Sequence, residues 1–317
     1  MSTETGAAKN QMSTPSVNAE ATGHKPLVSV IVPTRNRSRV LREALESIFT
    51  SNRENFDLEV IVVDDGSTDD TPEVVKAYPV KYVRATGVGR GEVRNFGTSQ
   101  AQGEYLAFLD DDDKWLPNNI APQLALLEAH PEFGAVHAKV WLTDGEGNKI
   151  GNPVPEGELS AVVPFESLLT YWPQIGSLVV RASVYKELGG MDATLFGDAE
   201  WDWLLRIAEK YPVGRSNEAV VLFKQRDDPP VDLMWQRFPY AVRIFRRHTR
   251  QFSLLKRLKL ERIMLRHRGW YTSHFQMAAK YYAERGDKKT ARKAAIYAFR
   301  ISPPHAILGY IRNFRNK

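Results

Sequence analysis

Residues 106–115 read Leu-Ala-Phe-Leu-Asp-Asp-Asp-Asp-Lys-Trp, an apolar run that ends in four consecutive carboxylates, Asp110 to Asp113. Adjacent carboxylates repel one another and destabilise a fold unless a positive group sits among them. An Asp-x-Asp at the end of a buried strand can aim two oxygen donors at one point. Hard divalent cations such as Mg2+ or Mn2+ favour such donors and keep waters or substrate phosphates beside them. The competing reading is a solvated acidic turn in which one aspartate caps the next element. Two further polar clusters also follow short apolar runs: Pro33-Thr34-Arg35-Asn36 after Leu27 to Val32, and Asp64-Asp65-Gly66-Ser67 after Leu58 to Val63. Asp-Gly is a turn pair and accounts for one of those aspartates; the other is free to accept hydrogen bonds from a base or ribose. A third acidic group, Asp198, Glu200 and Asp202, lies in residues 196–206. Near a helix start these carboxylates favour the helix dipole, and one beside a substrate is a general base for a hydroxyl. The glycine-rich stretch 87–97 lacks both the Lys-Ser/Thr of a P-loop and the placement of a dinucleotide fingerprint. Its Arg90 and Arg94 either face an anion or form structural ion pairs.

The elements that must position these clusters alternate. Strands are expected over Leu27 to Val32, Leu58 to Val63, Val80 to Val83 and Tyr105 to Leu109, and helices over Val40 to Thr50, Thr68 to Tyr78, Glu92 to Gln102 and Asn118 to His130. The strands are continuous apolar runs rather than alternating ones, which indicates a parallel α/β sheet covered on both faces. In such sheets ligands bind outside the carboxyl ends of the strands, and all three polar clusters fall there. After Pro131 the order is mixed. A strand is expected over Gly134 to Leu142, a loop over Val154 to Val163, a short helix over Phe165 to Tyr171, a strand over Ser177 to Arg181 and an amphipathic helix over Trp201 to Lys210. From Leu233 onward the chain reads as helical, with two antiparallel helices around Gly286-Asp287 that resemble one tetratricopeptide-like hairpin, which alone is not an array.

The 317 residues include no cysteine, which leaves no disulfide framework and no thiolate metal site. No apolar run reaches the roughly 20 residues that span a bilayer. Residues 1–25, rich in Ser, Thr, Ala, Asn and Gly, read as a disordered tail without a signal-peptide core. The net charge of +5 hides an asymmetry, because residues 235–317 hold 21 Lys and Arg against 3 acidic residues. An acidic front therefore precedes a strongly basic end.

Four segments together resemble the family 2 glycosyltransferases: "VSVIVPTRNRSRVLREALESIF", "LEVIVVDDGSTDDT", "GRGEVRNFGTSQAQGEYLAFLDDDDKWLP" and "AEWDWLLRIA". The resemblance covers Leu27 to Phe223. It implies the GT-A fold, a Rossmann-like, mostly parallel sheet flanked by helices, over residues 26–230, to which the chain's own pattern and charge add a basic α-helical extension over 231–317. It implies a metal-dependent, inverting transfer from a nucleotide-diphosphate sugar, with a UDP-linked donor the first expectation, to a glycan or lipid-linked acceptor hydroxyl. By position, Pro33, Thr34 and Arg35 line the nucleotide site, with Arg35 replacing the common Tyr. Asp65 matches the residue that bonds the base, Arg94 lies by the diphosphate, and Asp111 faces the ribose or sugar. Asp110 and Asp112 take the outer Asp-x-Asp positions, with Asp112 the direct ligand of Mn2+ or Mg2+. Counting back from Arg206 places Ala199-Glu200 where the family has Glu-Asp. Glu200 is thus the candidate catalytic base, Asp198 the second candidate, and Asp202 a structural residue. The altered pair leaves a binding-only scaffold or regulator as the alternative function. A nucleotidyltransferase fits less well, because "PTRNRS" is a poor match to its glycine-rich basic loop.

For the basic end the first expectation is a solvated face on helices packed against the catalytic domain. An anionic membrane surface comes second. Nucleic acid ranks below both, since no binding motif accompanies the charge. The expected location is cytoplasmic, with the inner face of the plasma membrane as the peripheral variant.

Overall fold

A computed structural model describes residues 25–307, apart from 86, 159, 171, 172 and 227 and the side chain of residue 90. The tail expected over 1–25 lies outside the described residues except at its last position, as do the end of the short helix expected up to Tyr171 and residues 308–317 of the basic region.

The first half of the chain runs β1 (Leu27–Thr34), α1 (Ser38–Phe49), β2 (Asp57–Asp65), α2 (Thr71–Val75), β3 (Lys81–Ala85), α3 (Arg90–Ser99), β4 (Tyr105–Phe108), β5 (Lys114–Trp115) and α4 (Ala121–Ala129). The middle contains β6 (Ala135–Thr143), β7 (Lys149–Val154), α5 (Phe165–Leu168), β8 (Leu178–Arg181), α6 (Ala182–Leu188), α7 (Ala199–Ala208) and β9 (Val213–Lys224). Then follow α8 (Val231–Thr249), α9 (Leu254–Glu284) and α10 (Lys288–Ile301), with residues 303–307 also helical.

The strands form one sheet in the order β3-β2-β1-β4-β8-β6-β9-β5, with β7 paired to β6. The first four are parallel, as their continuous apolar runs require. The sheet is mixed beyond β4: β8 runs antiparallel to β4 and to β6, while β9 is parallel to β6 and antiparallel to β5. Alternate residues feed two cores. Ile31, Ile61, Val63 and Phe108 join the core shared with α3 and α7. Val30, Val32, Val60 and Val62 join the one shared with α1 and α4. Helix α3 lies so close to the sheet that a Cβ on Gly97 would sit 2.7 Å from the side chains of Ile31 and Val63.

Three strands were not expected. β5 and β7 lack continuous apolar runs. β9 has one at its end, Ala219 to Phe223, but carries Arg215-Ser216-Asn217-Glu218 in its middle, where its pairing with β6 shifts register; there tertiary contacts rather than local pattern define the strand. The helix expected over Thr68 to Tyr78 shortens to α2. Helix α7 is buried almost all round rather than amphipathic, with Trp201, Asp202, Trp203, Leu204, Leu205 and Ile207 all inside.

Candidate active site

Register places the three polar clusters side by side. Thr34 of β1 pairs with Asp64 of β2, and Asp65 with Ala85 of β3. Phe108 of β4 pairs with Ile31, so continuing the ladder brings Asp110 beside Pro33 and Asp111 beside Thr34. At Gly66 the backbone turns with φ +80°, a conformation that suits glycine. The resulting cleft, about 410 Å³, is lined by residues that include Pro33, Thr34, Arg35, Asp65, Arg94, Asp110, Asp111 and Asp112. Every residue expected at the nucleotide-sugar and metal positions thus faces one cavity. Asp65 accepts a hydrogen bond from the Val88 amide at 2.9 Å, and Arg35 approaches its other oxygen at 3.5 Å. Asp64 turns away, accepting from the Ser67 amide and the Tyr82 hydroxyl.

The four aspartates have four different environments. Asp110 pairs with the buried guanidinium of Arg94. Asp111 accepts from the Thr34 hydroxyl at 2.8 Å and from Arg37 at 2.9 Å. Asp112, half-exposed, accepts from the same Arg37 nitrogen at 2.8 Å. Asp113 accepts from the Lys224 backbone amide at 2.9 Å. Burial pushes the Asp111 carboxyl up to about 6 against the opposing pull of Arg37. Burial, with Asp110 beside it, raises Asp113 well above the usual carboxylate range. The positive groups among the aspartates are therefore Arg94 and Arg37. Arg37 was missed from sequence; its only signal is its place immediately after the first strand-end cluster.

A second cleft, about 530 Å³, shares Gly89, Arg94 and Asp110 with the first and continues to Glu200, Phe196, Arg237 and Tyr240. Glu200 stands in the first turn of α7. Asp198, the other candidate base, is not among the residues lining either cleft. It stands at the residue preceding α7, in the left-handed region at φ 58°, is 1% exposed, and its carboxylate pairs with Arg237 of α8 rather than capping the helix. Asp202 is fully buried between Arg206, Arg247 and His248, the last two on α8. Sequence reasoning did not anticipate Arg237, whose partner lies 39 residues away.

A family model described as Glycosyl transferase family 2 matches residues 29–162. An uncharacterised glycosyltransferase of Methanocaldococcus jannaschii is 30% identical over 198 residues, 59% of this chain and 67% of that protein. The chain belongs to glycosyl transferase family 2. An uncharacterised glycosyltransferase of Haemophilus influenzae is 28% identical over 189 residues, 58% of this chain; the match spans 63% of that relative's length. Among solved structures, the mannosyltransferase PcManGT of Pyrobaculum calidifontis, in complex with GDP-Man and Mn2+, superposes with a TM-score of 0.59 at 20% identity. That superposition covers 93% of this chain and 81% of PcManGT, and supports the GT-A fold.

The residues of this family 2 chain suit a cation only as a shared site. Among the described residues no group of three or more His, Cys, Asp or Glu is spaced to hold a metal ion. One Asp110 oxygen pairs with the buried Arg94 and one Asp112 oxygen with the more exposed Arg37, the two carboxylates being 32% and 40% exposed. One carboxylate oxygen plus substrate diphosphate and water is the donor set that Mg2+ and Mn2+ accept. Arg37 must release Asp112 for that carboxylate to serve fully.

Proposed function

We propose that the protein is a metal-dependent, inverting glycosyltransferase that moves a sugar from a nucleotide-diphosphate sugar to a hydroxyl of a glycan or lipid-linked acceptor. The observation that carries this is the junction of the two clefts at Arg94 and Asp110, with the nucleotide-type residues on one side and Glu200 on the other. In this reading Asp65 receives the base, Pro33 and Arg35 flank the nucleoside, and Arg94 neutralises the diphosphate. Asp111 faces the ribose or sugar. Asp112 holds Mn2+ or Mg2+, which when bound would neutralise charge on the leaving diphosphate. Glu200 takes the proton of the acceptor hydroxyl. The new bond forms between that oxygen and the anomeric carbon as the bond to the diphosphate oxygen breaks on the opposite face, inverting the centre. Glu200 is preferred to Asp198 because it lines the cleft, whereas Asp198 is buried against Arg237.

The test is a screen of uridine and guanosine diphosphate sugars by thermal shift, then transfer and donor hydrolysis with and without Mn2+. Glu200→Gln is expected to lower turnover by about 100-fold or more while changing donor affinity little. Asp112→Ala should abolish the Mn2+-dependent rate and keep the fold. Full Mn2+-dependent activity in Asp112→Ala would overturn the metal assignment, and the same loss in Asp198→Asn with an active Glu200→Gln would move the base. One observation favours a second reading, a nucleotide-binding relative without turnover: Arg37 already pairs with both Asp111 and Asp112. Donor binding with no transfer and no hydrolysis would support that reading.

A further inference from the structure

Helix α9 has one face in the core and another that is exposed among the described residues. Leu260, Met264, Tyr271 and Phe275 are buried. On the other side Leu254, Leu258 and Leu265 fall on one stripe by helical periodicity. They are 68%, 59% and 56% exposed, and Leu255 beside them is 75% exposed. Single exposed leucines are ordinary, but four along three turns of one helix mark an interaction surface. The same segment, Leu254 to Trp270, holds six Lys and Arg and one acidic residue. On the helical projection Arg257 and Arg268 border one side of the leucine stripe, and Arg262 and Arg266 the other. Among the described residues, Lys256 is the one of these six in an ion pair, with Glu166 at 2.7 Å.

We propose that this face of α9 docks on an anionic lipid membrane, its leucines entering the boundary between headgroups and acyl chains while the flanking basic groups meet lipid phosphates. An apolar stripe bordered by cations is the pattern of interfacial helices, and each cation near an anionic leaflet adds to the attraction. A second copy of the chain would bring six basic groups against six. A nucleic acid would use the charge and leave the leucines in water. No helix of the described residues is long and apolar enough to cross a membrane, so the contact is peripheral. It is independent of the transfer reaction, and its test needs no turnover.

The experiment is co-sedimentation of the full chain with vesicles of phosphatidylglycerol and phosphatidylcholine, or of phosphatidylcholine alone, at low and high salt. Binding is expected to the anionic vesicles only, and to fall with salt. Arg262→Ala with Arg266→Ala should weaken it about thirtyfold, at roughly fivefold per charge. Leu254→Ser with Leu258→Ser should weaken it about tenfold or more without changing the thermal transition, since both side chains are exposed. Lys76→Ala, just after α2, with Lys81→Ala, in edge strand β3, removes the same number of charges from outside α9 and should leave it within about twofold. Three results would overturn the proposal: no binding to anionic vesicles at low salt, binding indifferent to the leucine changes, or an equal loss in the Lys76 and Lys81 variant. Leucine variants that altered only self-association in the absence of lipid would overturn it too.

Discussion

Asp111 sits in the cleft wall between Thr34 and Arg37, 5% exposed, with its carboxyl pushed up to about 6 by burial. A carboxyl raised in the folded state favours the protonated form there. Its contribution to stability is complete below the unfolded pKa, about 3.9, and is lost as pH rises through about 6. The gap of about two units corresponds to roughly 3 kcal/mol at most. Asn cannot titrate, so the donor-free protein should lose stability relative to Asp111→Asn between pH 4 and pH 8, by on the order of 2–3 kcal/mol. Urea unfolding of both proteins at the two pH values measures this, and a pH-independent difference would refute it. At this scale much was legible. The strand-end carboxylates declare themselves because charged runs directly after buried apolar runs have few structural uses. Arg37 did not, because one arginine in a polar loop looks like any solvated cation until its partners 74 and 75 positions away are known.

Helix α7 is held at its amino end by α8. Arg237 meets Asp198, and Arg247 and His248 meet Asp202, on either side of Glu200 in the chain. These links fix the pitch of the turn that carries the proposed base. Removing one partner of a buried pair leaves a charge without compensation, at a cost of about 3–5 kcal/mol. Arg237→Met alone, which strands the buried Asp198 carboxylate, is therefore expected to destabilise by an amount in that range, and Asp198→Asn added to it to recover most of the loss. Chemical denaturation of the two single variants and the double variant forms the cycle that measures the coupling. A double variant as unstable as the sum of the singles would show that the pair does not act together. The parallel strands and their helices could be read from periodicity alone. The strands β5 and β7 could not, because they take their hydrogen bonds and burial from distant partners and carry no pattern of their own; β9 has a local signal only in its apolar end, Ala219 to Phe223, while its polar middle is placed by pairing with β6.

The cores do not stop at the end of the region that resembles the family. One buried cluster runs from Ile31, Phe108 and Trp203 through Ile244, Phe245 and Phe275 to Ala306. His267 of α9 bonds the Leu169 carbonyl at 2.6 Å, and Phe252 stacks edge-on against Phe165. A chain ending at Pro230 would expose the apolar surface of α7 that α8 and α9 cover. It is expected to be insoluble, or to bind a hydrophobic dye and lack a cooperative thermal transition. A soluble, cooperatively folding fragment of this length would contradict the shared core. By itself the sequence determined the α/β class, the parallel direction of the first strands and the gathering of Pro33, Asp65 and Asp110 to Asp112 at one sheet edge, because burial on both faces and turn chemistry act over a few residues. Only the tertiary structure decided which cations pair with those aspartates, which of Glu200 and Asp198 faces the cleft, and that α8 to α10 complete the buried core. Those outcomes rest on contacts between residues dozens of positions apart, where local pattern holds no information.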